Sequence, residues 1–538
     1  MVFARRSTTL LAAIIASCAM VLSLTACTSD NKTVVDGQTT VTSNSAGGVA
    51  VFTPSDGITL NQQMPLNKWA KLVPDLTKAL VDAGFKKGDI NHTTSDSLDK
   101  QSRAIQDFVV DHLSNNTTDD SGIAIAPDNM TLLVAPVVEA DASTRQYGDY
   151  VSQNLSTNDV TDEGATSDGE SSEDDSSNTE SDSTASDEQA QAVDRLVSSL
   201  KLAKESGMHV VLLGNSIEGY KPDAFVKFSD AQTIGKLQAE KMVSKLKLDK
   251  ASKDNPKYIE VLLPYTAVDE KGNANDSTFA QEAFRGIWQV LGSYYQKGVV
   301  ESPSGTLDGK STENDWQAVA YDAAKEGSTA KVLDKRLAKT DGQSTLTRID
   351  GIITMNDYIA SEVVKELDDL GYTGSAADIN PQITISGIVG NITGKKDLSR
   401  DAVPDPIKSP ENDNANDSSS SDDDADKDTS ASDKDRDSQW PLVTGYGAYV
   451  SNIPSIVNGK QWMTGMEDRQ TIATDIAQAC AKLNKDEALN SMPSIRNSEV
   501  GGVKKIPTIN EPLLAVSAGN LKSALIDPGY ISLADAGL

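Results

Sequence analysis

Cysteine, histidine and long apolar runs are scarce in this chain of 538 residues. It has three cysteines, three histidines and one apolar run of any length. Cys18 and Cys27 lie at the amino terminus, so Cys480 is alone in the body of the chain and no structural disulfide is expected there. His92, His112 and His209 have no metal-ligand spacing. No histidine follows His209. The serine of Gly214-Asn215-Ser216-Ile217-Glu218-Gly219 therefore lacks the partner a hydrolase elbow needs, and its second glycine comes one residue late. The 390–396 stretch, GNITGKK, lacks the four-residue gap of a phosphate loop and the hydroxyl after its lysine. These absences leave no catalytic residue, no metal site and no cofactor to assign. A pair of carboxylates acting on glycosides stays open as an alternative.

Positive charge is also short, at 49 Lys and Arg against 79 Asp and Glu, a net of -30. The excess is uneven. Residues 155–189 carry twelve acids and no base, and residues 409–438 carry eleven acids against Lys427, Lys434 and Arg436. Both stretches are rich in Ser and Asp and lack aromatics, so they cannot bury enough apolar surface to order themselves. They are expected to be disordered insertions, at about 155–190 and 409–438. Binding of cations or cell wall is the other reading of such runs. The remaining body is mildly acidic, which argues against nucleic acid as a partner.

Arg5 and Arg6 precede a nearly unbroken apolar stretch from Leu10 to Leu24. A basic start and a centre of about 15 apolar residues fit a secretory signal, whereas a membrane-spanning helix needs about 20. Leu24-Thr25-Ala26-Cys27 resembles the lipobox of bacterial lipoproteins. That resemblance implies a signal peptide over 1–26, lipid on Cys27, and an extracytoplasmic protein anchored to the outer face of the cell membrane. Residues 27–47 have no apolar periodicity and are expected to form a flexible tether.

Beyond the tether, strand-like and helical patterns alternate. Strands are expected at 47–55, 131–138, 209–215, 258–265, 348–357, 383–390 and 440–447. Helices are expected at 67–83, 192–206, 231–246, 281–294, 315–337, 359–370 and 471–482. Such alternation predicts an α/β fold with parallel sheets, in which ligands sit beyond the carboxyl ends of the strands. The residues at those ends are polar or small: Thr53 to Asp56, Gly214 to Ser216, Met355 to Asp357 and Gly445 to Gly447. Together they form a candidate ring of ligand contacts. Each one alone also suits an ordinary turn or helix cap.

Several segments resemble the periplasmic sugar-binding proteins of ABC transporters, the type I bilobal group with xylose, ribose, galactose and multiple-sugar receptors. They are KESGMHVV (204–211), FVKFSDAQTIGKLQAEKMV (225–243), RIDGIITMNDYIASEVVKELDDLGY (348–372), LVTGYGAYVSNIPSIVNGKQWMT (442–464) and KKIPTINEPLLAVSAGNLKSALIDPGY (504–530). Their order and spacing carry the resemblance, over about 48–538. It implies two Rossmann-like lobes joined by a three-strand hinge. One lobe is expected to combine 48–229 with 467–495, the other to span 230–466, with 496–538 as a hinge-associated tail.

The resemblance further implies a monomeric binding protein, not an enzyme, that closes two lobes around a mono- or short oligosaccharide and hands it to a membrane permease. A surface protein that keeps the fold for adhesion or sensing is the alternative. Carried over residue by residue, the ligand contacts would be Asp56, Trp69, Asn215, Asn356, Asp357, Tyr446 and Glu467, and Trp316 matches a tryptophan that the family places before a helix. The charged clamp is largely rewritten. The family's YDR strand end is Leu213-Gly214-Asn215 here, its GQD is Gly445-Tyr446-Gly447, and the lysine of its crossover falls on Glu467.

Overall fold

Trp69, Leu72, Leu76 and Leu80 recur every three or four residues, and the chain is helical there: α1 runs Trp69–Asp82 with these four side chains buried. Burying each contributes about 1.5–3 kcal/mol. The computed structural model describes residues 32–35, 38–41, 46–55, 65–115, 125–138, 144–157, 180–268, 275–338, 346–377 and 440–538. It divides into two units, Met1–Asn44 and Ser45–Leu538. The first carries an antiparallel hairpin, Lys32–Val35 with Gln38–Val41, inside the stretch expected to be a plain tether. The sequence between its strands is Asp36-Gly37, a pair that favours two-residue hairpins.

The second unit holds the remaining elements. Its main strands in chain order are β1 (Gly48–Pro54), β2 (Ile90–Ser95), β3 (Met130–Val134), β4 (His209–Leu213), β5 (Ala224–Lys227), β6 (Lys257–Val261), β7 (Val300–Glu301), β8 (Gly351–Ile353), β9 (Leu442–Val443), β10 (Met463–Met466), β11 (Ile495–Val500), β12 (Val503–Asn510) and β13 (Leu514–Ser517). After α1 the helices are α2 (Leu98–Asn115), α3 (Glu180–Glu205), α4 (Ala231–Leu246), α5 (Thr278–Gln296), α6 (Ser328–Arg336), α7 (Asp357–Asp369) and α8 (Arg469–Leu483).

Two larger sheets organise this unit, and each sheet with the helices packed on it is called a lobe below. The first has the order β11-β12-β5-β4-β3-β1-β2 and is parallel except for the β11–β12 pair. Its inner strands β1, β3 and β4 are almost wholly buried, as continuous apolar runs in covered parallel sheets should be. The second sheet, β7-β6-β8-β9, is parallel throughout. The chain passes from the first sheet toward the second after β5, through Phe228–Asp230 into α4. It passes again after β10, through Glu467 into α8, which packs on α1. A third passage leads from β12 to β13, which pairs antiparallel with β10. This is the α/β architecture with mainly parallel sheets that the resemblance implied.

Three expectations need correction. The helix expected over 315–337 is broken into Trp316–Val319, a short strand Ala320–Tyr321 and α6. Pairing of Ala320–Tyr321 with Leu263–Pro264 draws the chain into a sheet, and Gly327, at φ 69°, stands before α6 in the left-handed region. Second, α3 begins at Glu180, so its first turns run through the end of the segment expected to be disordered. Third, strands β2, β5, β7, β10, β11, β12 and β13 and helix α2 have no counterpart in the sequence reading. The strand expected at 383–390 and the acidic segment 409–438 lie outside the described residues.

Candidate functional site

Strand ends of both lobes face one junction. Asn215 follows β4 and Ser229 follows β5. Asn356 and Asp357 follow β8, Tyr446 follows β9 and Glu467 follows β10. All six are buried. Asp56 lies outside the described residues.

On the second lobe, Asn356 caps α7: its side-chain oxygen accepts the Ile359 N–H at 2.9 Å, while its amide nitrogen donates to Gln146 Oε1 at 3.0 Å. Asp357 is therefore the first helical residue and not the cap. Its carboxylate accepts from Gln461 Nε2 at 2.7 Å, from the Tyr449 N–H at 2.9 Å and from Thr464 Oγ1 at 2.9 Å. Burial pushes this acid up to about 6, opposed by those donors. The approach is close enough that a Cβ on Gly445 would lie 2.2 Å from Asp357 Oδ1, so only glycine fits there. Backbone strain flanks the carboxylate. Met355 and Ala448 hold φ of 69° and 50°, a left-handed conformation that costs of order 1 kcal/mol for such residues. The Met355 carbonyl is held by Gln238 Nε2 at 2.9 Å, and the Ala448 N–H donates to Thr464 Oγ1 at 3.1 Å.

At the crossovers, Glu467 Oε1 accepts the Ser229 N–H at 2.6 Å and the Tyr446 hydroxyl at 3.4 Å, and that hydroxyl also shares a hydrogen bond with Ser229 Oγ. Two passages between the lobes are thus tied by one carboxylate. Burial raises Glu467 to about 7, opposed by its bonds to Ser229. No described Lys or Arg forms an ion pair with Glu467 or Asp357.

On the first lobe, Trp69 opens α1 and packs edge-on to Tyr150 at 5.1 Å and to Phe228 at 5.7 Å. Asn215 donates to Pro136 O and accepts the Gln153 N–H, both at 3.0 Å. Trp316 is buried beside Tyr265, in the same apolar cluster as Tyr147 and Tyr446. The junction so assembled is polar at its centre and aromatic at its margins.

Sequence reasoning missed the segment that joins these residues. Gln146, Tyr147, Asp149, Tyr150 and Gln153 meet Asn356, Trp69 and Asn215, and none of them stands at a strand end. Its one signal in the sequence is the pair Tyr147 and Tyr150, two tyrosines close together just before an acidic run without aromatics. Among the described residues, no group of His, Cys, Asp and Glu is placed to hold a metal, and no helix is long and apolar enough to cross a membrane.

No protein-family model matches this chain, and no curated protein matches it. Solved structures do. An ABC transporter solute-binding protein from Clostridium phytofermentans, with bound β-D-glucose, is 17% identical over 91% of this chain and 99% of its own, at a TM-score of 0.44. A carbohydrate transporter solute-binding protein from Chloroflexus aurantiacus, in complex with D-glucose, is 18% identical over 92% and 98%, at 0.43. An ABC transporter solute-binding protein from Bacillus halodurans, with bound myo-inositol, is 11% identical over 89% and 98%, at 0.36.

Proposed function

We propose that this chain is an extracytoplasmic solute-binding protein of the sugar class, serving an ABC importer. One observation carries the reading. The carboxyl ends of strands from two α/β lobes converge on a junction that combines buried carboxylates with aromatic rings. A sugar offers hydroxyls to the first and apolar C–H faces to the second. Asp357 and Glu467 are held by neutral donors alone, which suits a neutral ligand. The order of the resembling segments along the chain supports the same reading, and Leu24-Thr25-Ala26-Cys27 supports a lipid anchor that keeps the protein at the membrane beside its permease. The lobe boundaries near 229 and 467 and the ligand roles of Trp69, Asn215, Asn356, Asp357, Tyr446 and Glu467 belong to this proposal.

The test is calorimetry of the mature protein against D-glucose, D-ribose, D-xylose, L-arabinose, myo-inositol and short oligosaccharides. Saturable binding that Asp357→Ala weakens, with the fold intact by circular dichroism, is the expected result. A carboxylate lost from a closed site leaves ligand hydroxyls unpaired, at about 1–3 kcal/mol. A folded protein that binds none of them would sink the sugar reading. It would leave the second one, a surface protein that keeps the scaffold for adhesion or sensing. One observation favours that second reading: the junction's polar side chains already have partners within the protein.

A further inference from the structure

The site of a two-lobed binding protein lies between its lobes, and here a segment of the chain itself lies there. Residues 146–153 follow β3 and precede α3, and they touch both lobes and a crossover. Toward the second lobe, Gln146 accepts from Asn356 Nδ2 at its side chain and from the Tyr449 hydroxyl at its backbone carbonyl, the latter at 2.7 Å. The Tyr147 ring packs 4.7 Å from Phe279 and 6.3 Å from Tyr446. Toward the first lobe, Asp149 accepts from Lys68 Nζ at 2.7 Å and from the Trp69 N–H at 3.0 Å, and its own N–H donates to Asn67 O at 2.8 Å. Tyr150 stacks on Phe228 at 4.8 Å and donates to Lys68 O at 2.5 Å. At the crossover, the Ser152 N–H donates to Ser229 O at 3.0 Å.

The segment offers the chemistry that a sugar would offer. An amide supplies hydrogen bonds to Asn356, and a tyrosine ring supplies an apolar face beside Tyr446. A tight turn brings it in: Gly148 has φ of 97°, and a Cβ there would lie 2.6 Å from Asn67 O. Yet the fit is incomplete. Asn67 Nδ2 and Ser152 Oγ are buried with no hydrogen-bond partner among the described residues. Unsatisfied buried polar atoms cost about 1–3 kcal/mol each.

We propose that residues 146–153 are a tethered pseudo-ligand, which fills the junction and holds the lobes closed when no solute is bound. The proposal rests on the reading of the junction as the solute site. A solute then enters only by displacing the segment, and its apparent affinity is reduced by the fraction of molecules in which the segment is docked.

The experiment compares the wild type with Gln146→Gly/Tyr147→Ser, which removes the amide and the ring but leaves Tyr150 in the first lobe's core. Small-angle scattering without ligand should show a larger radius of gyration for the variant, because the lobes open on their hinge. D-glucose, the probe, should bind the variant about 10- to 100-fold more tightly. A folded variant with the wild-type radius overturns the proposal. Expansion with no glucose binding to either protein leaves the pseudo-ligand standing and removes the sugar reading. A wild type that binds glucose and compacts as it does so has the reverse meaning. Hydrogen exchange on the wild type is the second measurement, and it decides the matter if the variant fails to fold. The amides of Asp149, Ser152 and Gln153 should be protected, yet open more readily than those of Val51, Leu133 and Leu212 in the sheet. Protection equal to the sheet, or none at all, overturns the proposal.

Discussion

Two regions bury carboxylates in opposite ways. Inside the second lobe, Glu260 is fully buried and faces the Arg336 guanidinium at 3.4 Å, with the Ser304 N–H at 2.8 Å as a further donor. Arg336 is itself satisfied, donating to Val261 O at 2.5 Å and Val319 O at 2.9 Å. At the interlobe junction, Asp357 and Glu467 are as deeply buried but meet only amides, backbone N–H groups and hydroxyls. The first arrangement sets a cation against the carboxylate and braces a lobe, although burial still raises Glu260 above its usual range. The second leaves the charge to be settled by protonation or by whatever enters the junction. Buried groups whose ionisation is unsettled cluster at functional sites, and structural ion pairs do not need that freedom.

The largest effect should come from breaking the braced pair. Arg336→Met removes the cation and both carbonyl contacts while Glu260 stays buried. Removing one partner of a buried pair costs about 3–5 kcal/mol, and urea unfolding should register a loss of that size. A loss below about 1 kcal/mol would mean that neutral donors suffice for Glu260 as well, and the contrast between the regions would fail.

Glu467 tests the other side. Its pKa is raised from an ordinary 4.5 to about 7, chiefly by burial. The folded state therefore holds a proton that the unfolded chain has lost across this window. The resulting stability is fully present below about pH 4.5 and is lost as pH rises through about 7, for a total of about 3 kcal/mol. Asp357 acts in the same direction over a lower window, from 3.8 to about 6. Glu467→Gln keeps an oxygen for the Ser229 N–H and cannot ionise. The melting temperature of the variant should gain on the wild type as pH is raised from about 5 to about 8. A constant difference across that range would mean that Glu467 titrates normally and that a cation or water reaches it.

What was legible in the sequence follows from the range of the interactions involved. α4, expected at 231–246, spans Ala231–Leu246, because its Asp230 cap and its periodic apolar face are local. β1 is equally local, a buried run between glycine and proline. β2 escaped notice because its middle residues, Asn91 to Thr94, are exposed and polar, and only pairing with β1 makes them a strand. The same limit applies at the junction. Strand-end logic points to Asn215, Asn356, Asp357 and Tyr446, and the resemblance adds Glu467; these residues stand around one junction. Gln146 and Tyr147 matter only because residues 146–153, distant in sequence from Asn356 and Tyr446, come to lie beside them, and no local pattern encodes a meeting of that kind.

The smallest effect separates two neighbours that the sequence could not tell apart. Asn356 caps α7 with its oxygen and holds Gln146 with its nitrogen, whereas Asp357 ties Tyr449, Gln461 and Thr464 to the start of that helix. Asn356→Ala loses the cap and should cost about 1 kcal/mol in thermal unfolding. Asn356→Asp keeps a capping oxygen and places a negative charge at a helix start, which the helix dipole favours, so stability should return to within a few tenths of a kcal/mol. A carboxylate cannot donate to Gln146 Oε1, however. If the cap is the whole role of Asn356, the aspartate variant should match the wild type in hydrogen exchange at Asp149 and Ser152 too. If Asn356 also holds the segment between the lobes, those two amides should exchange faster in Asn356→Asp while the unfolding midpoint stays in place. Faster exchange with unchanged stability is the result expected here, because the capping bond and the bond to Gln146 leave from different atoms of one side chain.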